Sequence, residues 1–530
     1  MNAFHKIFTA AAAVLLLAGC QKDLPPREAN PDANQPPLEL KREIEPLNGR
    51  EPLEKSELIR RTKSFIESRG VFDWGEADDF TVWSAVIATD SIISLGYQPA
   101  GFAGLDEAIH EIDVRSGEWQ NLRRRLINYV LERYRRLYPD RNWRTEDVVA
   151  FGEKPLPYLN LRVWDYETLA HLRNFTVTRY CEPMGFGIDP DYGDRSDSGC
   201  GGNMPAPFVP SDHFHTAPQG ATFSWNYIPM RIQRAWKAGA RGAGVTVGLI
   251  DTGNSPDQAK LNDEFSGGFS GNRTIETLGF HTPCSWFFFC ENDGPYDLCG
   301  HGTSMGGVLA GPFSGDGAPS GVAFRSNMIS IRATEDVVHN TSAEKNGVSD
   351  AYYYLGSRED VDIISMSLGD LFSSGQITDA VNYAHNQEKM IFCAAGTSFS
   401  WTTFVGVIFP ANLNNTIAVT GIKTGSLNNM QKCTSCHSGS QVDFAVTMED
   451  QNDESKRPLT LANSGIAPTY TGGSSVATAT AAGIAALVWS TDLNQSREEV
   501  FDRMKEASNF YPTRDSEFGW GRINAETAAQ

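Results

Sequence analysis

The sequence predicts an α/β fold: a parallel sheet flanked by helices, preceded by a smaller α+β domain. Two observations carry this. From about Phe223, short runs rich in Val, Ile and Ala (residues 245–250, 363–368, 390–395 and 417–422) alternate with helical segments. That is the pattern of parallel strands covered on both faces. Upstream, a long amphipathic helix leads into a strand, a short helix and a second strand.

In chain order, residues 1–19 come first, with one charged residue, Lys6, and an apolar run over 7–18. They read as a secretory signal, short for a bilayer span. The run ends Leu17-Ala18-Gly19-Cys20, which resembles the bacterial lipobox. The resemblance implies a lipid on Cys20 and a place in the bacterial cell envelope. Gln21 after the cysteine implies the outer membrane. Residues 20–53, rich in Pro, Glu and Asn, are expected as a flexible tether. Residues 54–184 form the smaller domain. Its clearest helix, 118–138, repeats Trp119, Leu122, Leu126, Val130, Leu131, Tyr134 and Leu137 at three- and four-residue steps. The opposite side carries Arg123, Arg124, Arg125, Arg133, Arg135 and Arg136, expected as a solvated face or one docked on the acidic remainder rather than on a membrane. Strands are expected over 158–164 and 176–181, with a helix over 166–173. Residues 185–222 read as a linker. There Asp189, Asp191, Asp194 and Asp197 miss the EF-hand spacing and are expected as a solvated turn. Residues 223–530 form the larger domain.

The 530 residues are 40% hydrophobic and 11% aromatic, enough for a sizeable core. Lys+Arg number 45 against 65 Asp+Glu, a net charge of −20, which argues against nucleic acid as a partner. Loss of Lys6 with residues 1–19 gives 44 − 65, or −21. Beyond Cys20 there are eight cysteines, and export favours disulfides among them. Connectivity stays open. Cys181–Cys200 and Cys433–Cys436 are local candidates, and Cys393, in an apolar run, is a candidate core thiol.

Three motifs carry chemistry. Asp251 ends an apolar strand and is followed by Thr252-Gly253. His301 lies in Gly300-His301-Gly302-Thr303 at the start of a helix rich in small residues. Ser475 lies in Gly472-Gly473-Ser474-Ser475 at the start of an Ala-rich helix. A helix N-terminus favours developing negative charge. Acyl transfer needs an activated hydroxyl, a base, and a carboxylate that orients the base. Asp251, His301 and Ser475 supply them, in the order known for one convergent class of hydrolases. No G-x-S-x-G elbow surrounds Ser475, which weakens an esterase reading.

These motifs make residues from about 225 to the C-terminus resemble the subtilisin-like serine proteases, or subtilases. Met366-Ser367-Leu368-Gly369 is similar to the strand that pairs with substrate backbone. Ala394-Ala395-Gly396 and Phe409-Pro410-Ala411 resemble walls of the primary specificity pocket. Gly519-Trp520-Gly521-Arg522-Ile523-Asn524 resembles the closing segment. The resemblance implies a serine endopeptidase acting on polypeptides, with Ser367, Leu368 and Gly369 pairing with the substrate. Relatives often bind calcium, but no ligands are assignable here. Residues 156–183 resemble the end of a subtilase propeptide, which implies an N-terminal domain that aids folding and blocks the cleft until cut, unless it is a permanent accessory domain.

Some features depart from the family, of which Ser474 for the usual Thr and Ala479 for the usual Pro are small and tolerable. Thr397 stands where the family has an oxyanion Asn, which raises the alternative of a weak or inactive peptide-binding module. Ile408 stands where many relatives have a small residue, which implies a short pocket preferring Ala before the cut. Cys433-Thr434-Ser435-Cys436-His437 matches a haem-attachment pattern but is expected as a disulfide or two thiols. Between Asp251 and His301, Cys284 to Cys290 reads as an insertion whose aromatics touch substrate or membrane, or form a disulfide-pinned plug. Residues 448–454 are expected as an exposed acidic loop.

Overall fold

The computed structural model describes residues 37–188, 200–201, 203–284, 290–397, 406–425 and 429–530. Lys6, Cys20, Gln21, the four linker aspartates and the aromatics between Cys284 and Cys290 lie outside them. Residues 39–530 form one compact unit.

The first part of that unit holds α1 (Lys55–Arg69), α2 (Asp79–Ile87), β1 (Ile92–Tyr97), the one-turn α3 (Leu105–Ala108), α4 (Gly117–Leu137), the one-turn α5 (Thr145–Val148), β2 (Tyr158–Arg162), α6 (Tyr166–Asn174) and β3 (Thr178–Pro183). The strands make an antiparallel sheet of order β2-β1-β3. The stripe expected on α4 is buried at Leu122, Leu126, Val130, Leu131 and Tyr134. Its arginines dock in part. Arg123 is buried and donates to Glu153 and to the Lys154 carbonyl, and Arg133 pairs with Asp165 and Glu167. The expected tether is folded at its end. The Lys41 N–H donates to the Asn174 carbonyl, and Arg42 pairs with Asp79 at 2.7 Å.

The second part begins with a hairpin, β4 (Phe214–Thr216) and β5 (Thr222–Ser224), whose first strand lies inside the segment expected as linker. Phe186 and Ile188 of that segment are also buried, because Phe186 packs edge-on against Trp74 and Phe372. Then come α7 (Ile232–Ala238), β6 (Thr246–Asp251), β7 (Ile275–Gly279), α8 (His301–Ala310), β8 (Asn327–Arg332), α9 (Ser342–Ser357), β9 (Ile363–Met366), α10 (Gly375–Asn386), β10 (Met390–Ala394), β11 (Ile417–Lys423), β12 (Val442–Glu449), β13 (Leu459–Leu461), β14 (Pro468–Tyr470), α11 (Gly473–Trp489), α12 (Arg497–Glu506) and α13 (Ala525–Ala528).

Seven strands form a parallel sheet of order β12-β11-β10-β9-β6-β8-β7. Alternate residues point to opposite faces. Val247, Leu249, Met390 and Phe392 join α8 and α11 in one core, whereas Ile250, Ile364, Ile391 and Cys393 join α9 and α10 in the other. α11 is buried almost all round, as a central helix must be when it is apolar on every side. Of the expected acidic loop, Met448 and Glu449 close β12 and are buried, and Asp450 is half-buried; residues 451–454 are exposed.

The N-terminal sheet lies on α9 and α10. Lys154 pairs with Asp350, Arg179 grips the buried Asp379 through two nitrogens at 2.7 and 2.8 Å, and Tyr180 donates to the same carboxylate at 2.8 Å. Glu182 accepts from the Gly375 N–H at 2.6 Å, at the positive end of α10. Burial pushes the Glu182 carboxyl up to about 7, against the pull of Lys345 and the Gly375 N–H.

The disulfides are Cys200–Cys299, Cys284–Cys290 and Cys433–Cys436 among the described residues. The pairing Cys181–Cys200 is therefore wrong. Cys181 is a buried thiol of β3, and Cys200 reaches across 99 residues instead. Cys393 is a free core thiol, as expected. With both sulfurs of the Cys433–Cys436 pair consumed, the haem pattern has no thiol to offer.

Candidate active site

Three chain segments converge where β6, α8 and α11 meet. Asp251, at the C-terminal end of β6, is fully buried. Its Oδ1 accepts from the Thr252 N–H at 2.8 Å and lies 2.7 Å from His301 Nδ1. His301 is the first residue of α8. The close approach explains two glycines of the motifs. A Cβ on Gly302 would strike the Gly253 carbonyl, and one on Gly253, whose φ is +112°, would lie 2.5 Å from the Pro295 carbonyl. Burial alone would pull the His301 imidazole down. The Asp251 carboxylate outweighs it and holds the ring above the ordinary histidine value, with help from Asp297 and Asp336.

Asp297 escaped the sequence reading. Its Oδ1 accepts from the Gly300 N–H at 2.6 Å and the Thr252 hydroxyl at 2.9 Å, and its Oδ2 accepts from the Thr303 N–H at 2.8 Å. One carboxylate thus fixes the turn before His301 to the turn after Asp251. An acidic residue four positions ahead of the helix start was the available signal.

Ser475 is the third residue of α11 and half-buried. Its hydroxyl donates to the Ser367 carbonyl at 3.2 Å, and the Ser367 hydroxyl returns a bond to the Ser475 carbonyl at 2.9 Å. The end of β9 is thereby held against the start of α11. Ser475, His301, Ser367, Leu368, Gly369, Ala394, Gly396, Thr397 and Ile408 line one cavity of about 940 Å³. Ala395 does not; it is buried in the core on the α9–α10 face. Ile408 packs so tightly on Gly369 that a Cβ there would strike its Cδ1.

The Thr397 hydroxyl is engaged. It lies 3.1 Å from the Ser474 hydroxyl and accepts from the Ser474 N–H at 3.3 Å. Gly396 has φ +123°, and a Cβ on it would strike the His437 ring, so the Cys433–Cys436 loop braces this wall from behind. Thr397 bridges to Cys436, and the His437 N–H donates to the Gly396 carbonyl at 2.9 Å.

No group of three or more His, Cys, Asp or Glu side chains that could hold a metal occurs among the described residues. A buried carboxylate beside an imidazole, opening on a serine at a helix start, is suited to proton transfer and nucleophilic attack.

A model of the subtilase family matches residues 242–521. The chain is similar to a thermophilic serine proteinase of Bacillus sp. strain AK1, 26% identical over 301 residues, 56% of this chain and 64% of that protein. It is similar to thermitase of Thermoactinomyces vulgaris, 25% identical over 338 residues, 61% of this chain and all of thermitase. The match thus spans under two thirds of the AK1 proteinase, and 41% of a minor extracellular protease of Bacillus subtilis. Among solved structures, fervidolysin of Fervidobacterium pennivorans, a keratinolytic enzyme related to subtilisin, aligns with a TM-score of 0.54 at 14% identity. That alignment covers 83% of this chain and 61% of fervidolysin, and it speaks to the fold alone.

Proposed function

This chain belongs to the subtilase family, and from that premise we propose that it is an active serine endopeptidase working through Asp251, His301 and Ser475. The observation that carries the reading is the 2.7 Å contact between Asp251 and His301, with His301 and Ser475 lining one cavity. In this reading Asp251 keeps the proton of His301 on Nδ1, which leaves Nε2 free as a base. His301 takes the Ser475 proton as the hydroxyl attacks the peptide carbonyl, then gives it to the leaving amine. The Ser475 N–H, at the start of α11, donates to the developing oxyanion. Ser367, Leu368 and Gly369 pair with the extended substrate ahead of the cut. Ile408 against Gly369 shortens the pocket and favours Ala-sized side chains there, so poorer turnover of Phe than of Ala peptides is expected.

The N-terminal sheet acts as an inhibitor or folding aid for its own protease, held by Arg179–Asp379 and Glu182. Export and a lipid on Cys20 would place the protein in the cell envelope.

A second reading, an inactive peptide-binding module, draws on the Thr397 hydroxyl being engaged by Ser474. Labelling by a fluorophosphonate probe together with casein cleavage separates the two. Both are expected in the wild type and neither in Ser475→Ala. Labelling without cleavage would mark a different hydrolase, and no labelling would favour the binding module.

A further inference from the structure

The catalytic cavity has a wall that none of the family motifs supplies. Residues 203–208 run along β13 and β14. The Asn463 N–H donates to the Asn203 carbonyl at 2.9 Å, the Thr469 hydroxyl to the Met204 carbonyl at 2.9 Å, and the Ala206 N–H to the Pro468 carbonyl at 2.8 Å. The Cys200–Cys299 disulfide ties this stretch to the turn before His301, and Asn203 sits so close to Gly300 that a Cβ there would lie 2.6 Å from it. Met204, Pro205, Ala206, Pro207 and Phe208 line the same cavity as Ser475. Met204 and Phe208 are 71% and 75% exposed, so two large apolar side chains rim the cleft.

We propose that residues 204–208 form a subsite for a large apolar side chain on the leaving side of the cut peptide bond. The assignment rests on the proteolytic reading above. His301 must face the leaving nitrogen to protonate it. Ser367, Leu368 and Gly369 hold the chain ahead of the cut, so the chain beyond it exits past His301, along Gly300 and the 203–208 stretch. Exposed Met and Phe offer polarizable, adaptable apolar contact to a Leu, Met or Phe passing over them. Cys200 lies on the protease side of any upstream cut, so the wall stays bolted in place after such a cut.

The test compares wild type with Met204→Ser/Phe208→Ser, both positions being too exposed to carry the fold. Quenched peptides share one sequence before the cut and carry Leu or Gly in the two positions after it; a p-nitroanilide ends at the cut. The double variant is expected to lose about tenfold in kcat/KM on the Leu peptide, with the Gly peptide and the anilide unchanged. An equal loss on all three, or no loss on the Leu peptide, overturns the subsite. Fluorescein-labelled, non-quenched versions of the two peptides are titrated into Ser475→Ala with and without the two Ser substitutions. Loss of the preference for Leu over Gly supports the subsite, and an unchanged preference overturns it. A wild type that binds these peptides but cuts none would sink the proteolytic reading alone, leaving the subsite to be judged by that binding.

Discussion

Two of the buried histidines that face an aspartate, His301 and His339, are opposites. His301 Nδ1 lies 2.7 Å from Asp251, and the carboxylate lifts its pKa despite burial. His339 Nδ1 lies 4.0 Å from Asp370, and neither of its ring nitrogens finds a hydrogen-bond partner among the described residues. Burial drives the His339 pKa down to about 3, and the Lys345 ammonium adds to the push. Lys345 sits 3.5 Å from the same Asp370 carboxylate. The cation takes the aspartate's field, and the histidine is left a neutral, apolar-packed ring against Phe409. A His–Asp neighbourhood is therefore not yet a catalytic pair. The difference lies in hydrogen-bond distance, in who else claims the carboxylate, and in access to a nucleophile.

The contrast can be broken most directly at the reacting atoms. Ser475→Ala and His301→Ala are expected to lower kcat/KM on casein peptides by ~10⁴ or more, whereas His339→Leu stays within about threefold. Equal losses at the two histidines would erase the distinction. Next in size, Asp251→Asn should cost ~10⁴ in kcat by disturbing the tautomer, against a small change for Asp370→Asn, both read by steady-state kinetics. Thr397→Ala is expected to cost about tenfold in kcat, less than the ~10²–10³ of a dedicated oxyanion donor, because its hydroxyl is shared with Ser474.

The pH profile sharpens the comparison further. Catalysis needs the neutral His301 ring, and its pKa is raised. The acid limb of kcat/KM should therefore lie above the ~6.5 of an ordinary histidine. The Asp251–imidazolium contact stabilises the fold below ~6.5, and that contribution fades as pH rises through the folded value. His339 has the opposite sign. The unfolded chain takes up its proton below ~6.5 while the folded ring stays neutral down to about 3, so acidification over that window costs stability. The smallest effect follows. His339→Leu should raise the unfolding free energy by ~1 kcal/mol at neutral pH, by removing two unpartnered nitrogens, and should flatten the acid sensitivity of chemical denaturation.

Much of this was legible in the residues. Asp251, His301 and Ser475 stand in local motifs whose glycines and small residues the backbone contacts demand, and strands such as β6 and β10 announced themselves as short apolar runs. What stayed hidden depends on chain segments far apart. Cys200 gives no local hint that its partner is Cys299. Asp297 reads as one acidic residue among 65 Asp and Glu. The stretch 185–222 has a loop's composition, yet Phe186 is buried because Trp74 and Phe372, distant in sequence, surround it. Nor does the sequence distinguish Thr397 as a free donor from Thr397 bonded to Ser474.

The position of the Cys200–Cys299 bond also decides what holds the N-terminal sheet to the rest of the chain once the backbone between them is cut. Any nick before residue 200 leaves the bond entirely within the downstream fragment, and Cys181 is a buried free thiol that takes no part in it. The two fragments would then part at a rate set by noncovalent contacts, among them Lys154–Asp350, the Arg179–Asp379 grip, the Glu182 cap and the stacking of Trp74 on Phe372. The residence time of the sheet becomes an off-rate, adjustable by substitutions along that contact, and a nicked population would split on a non-reducing gel without any reductant.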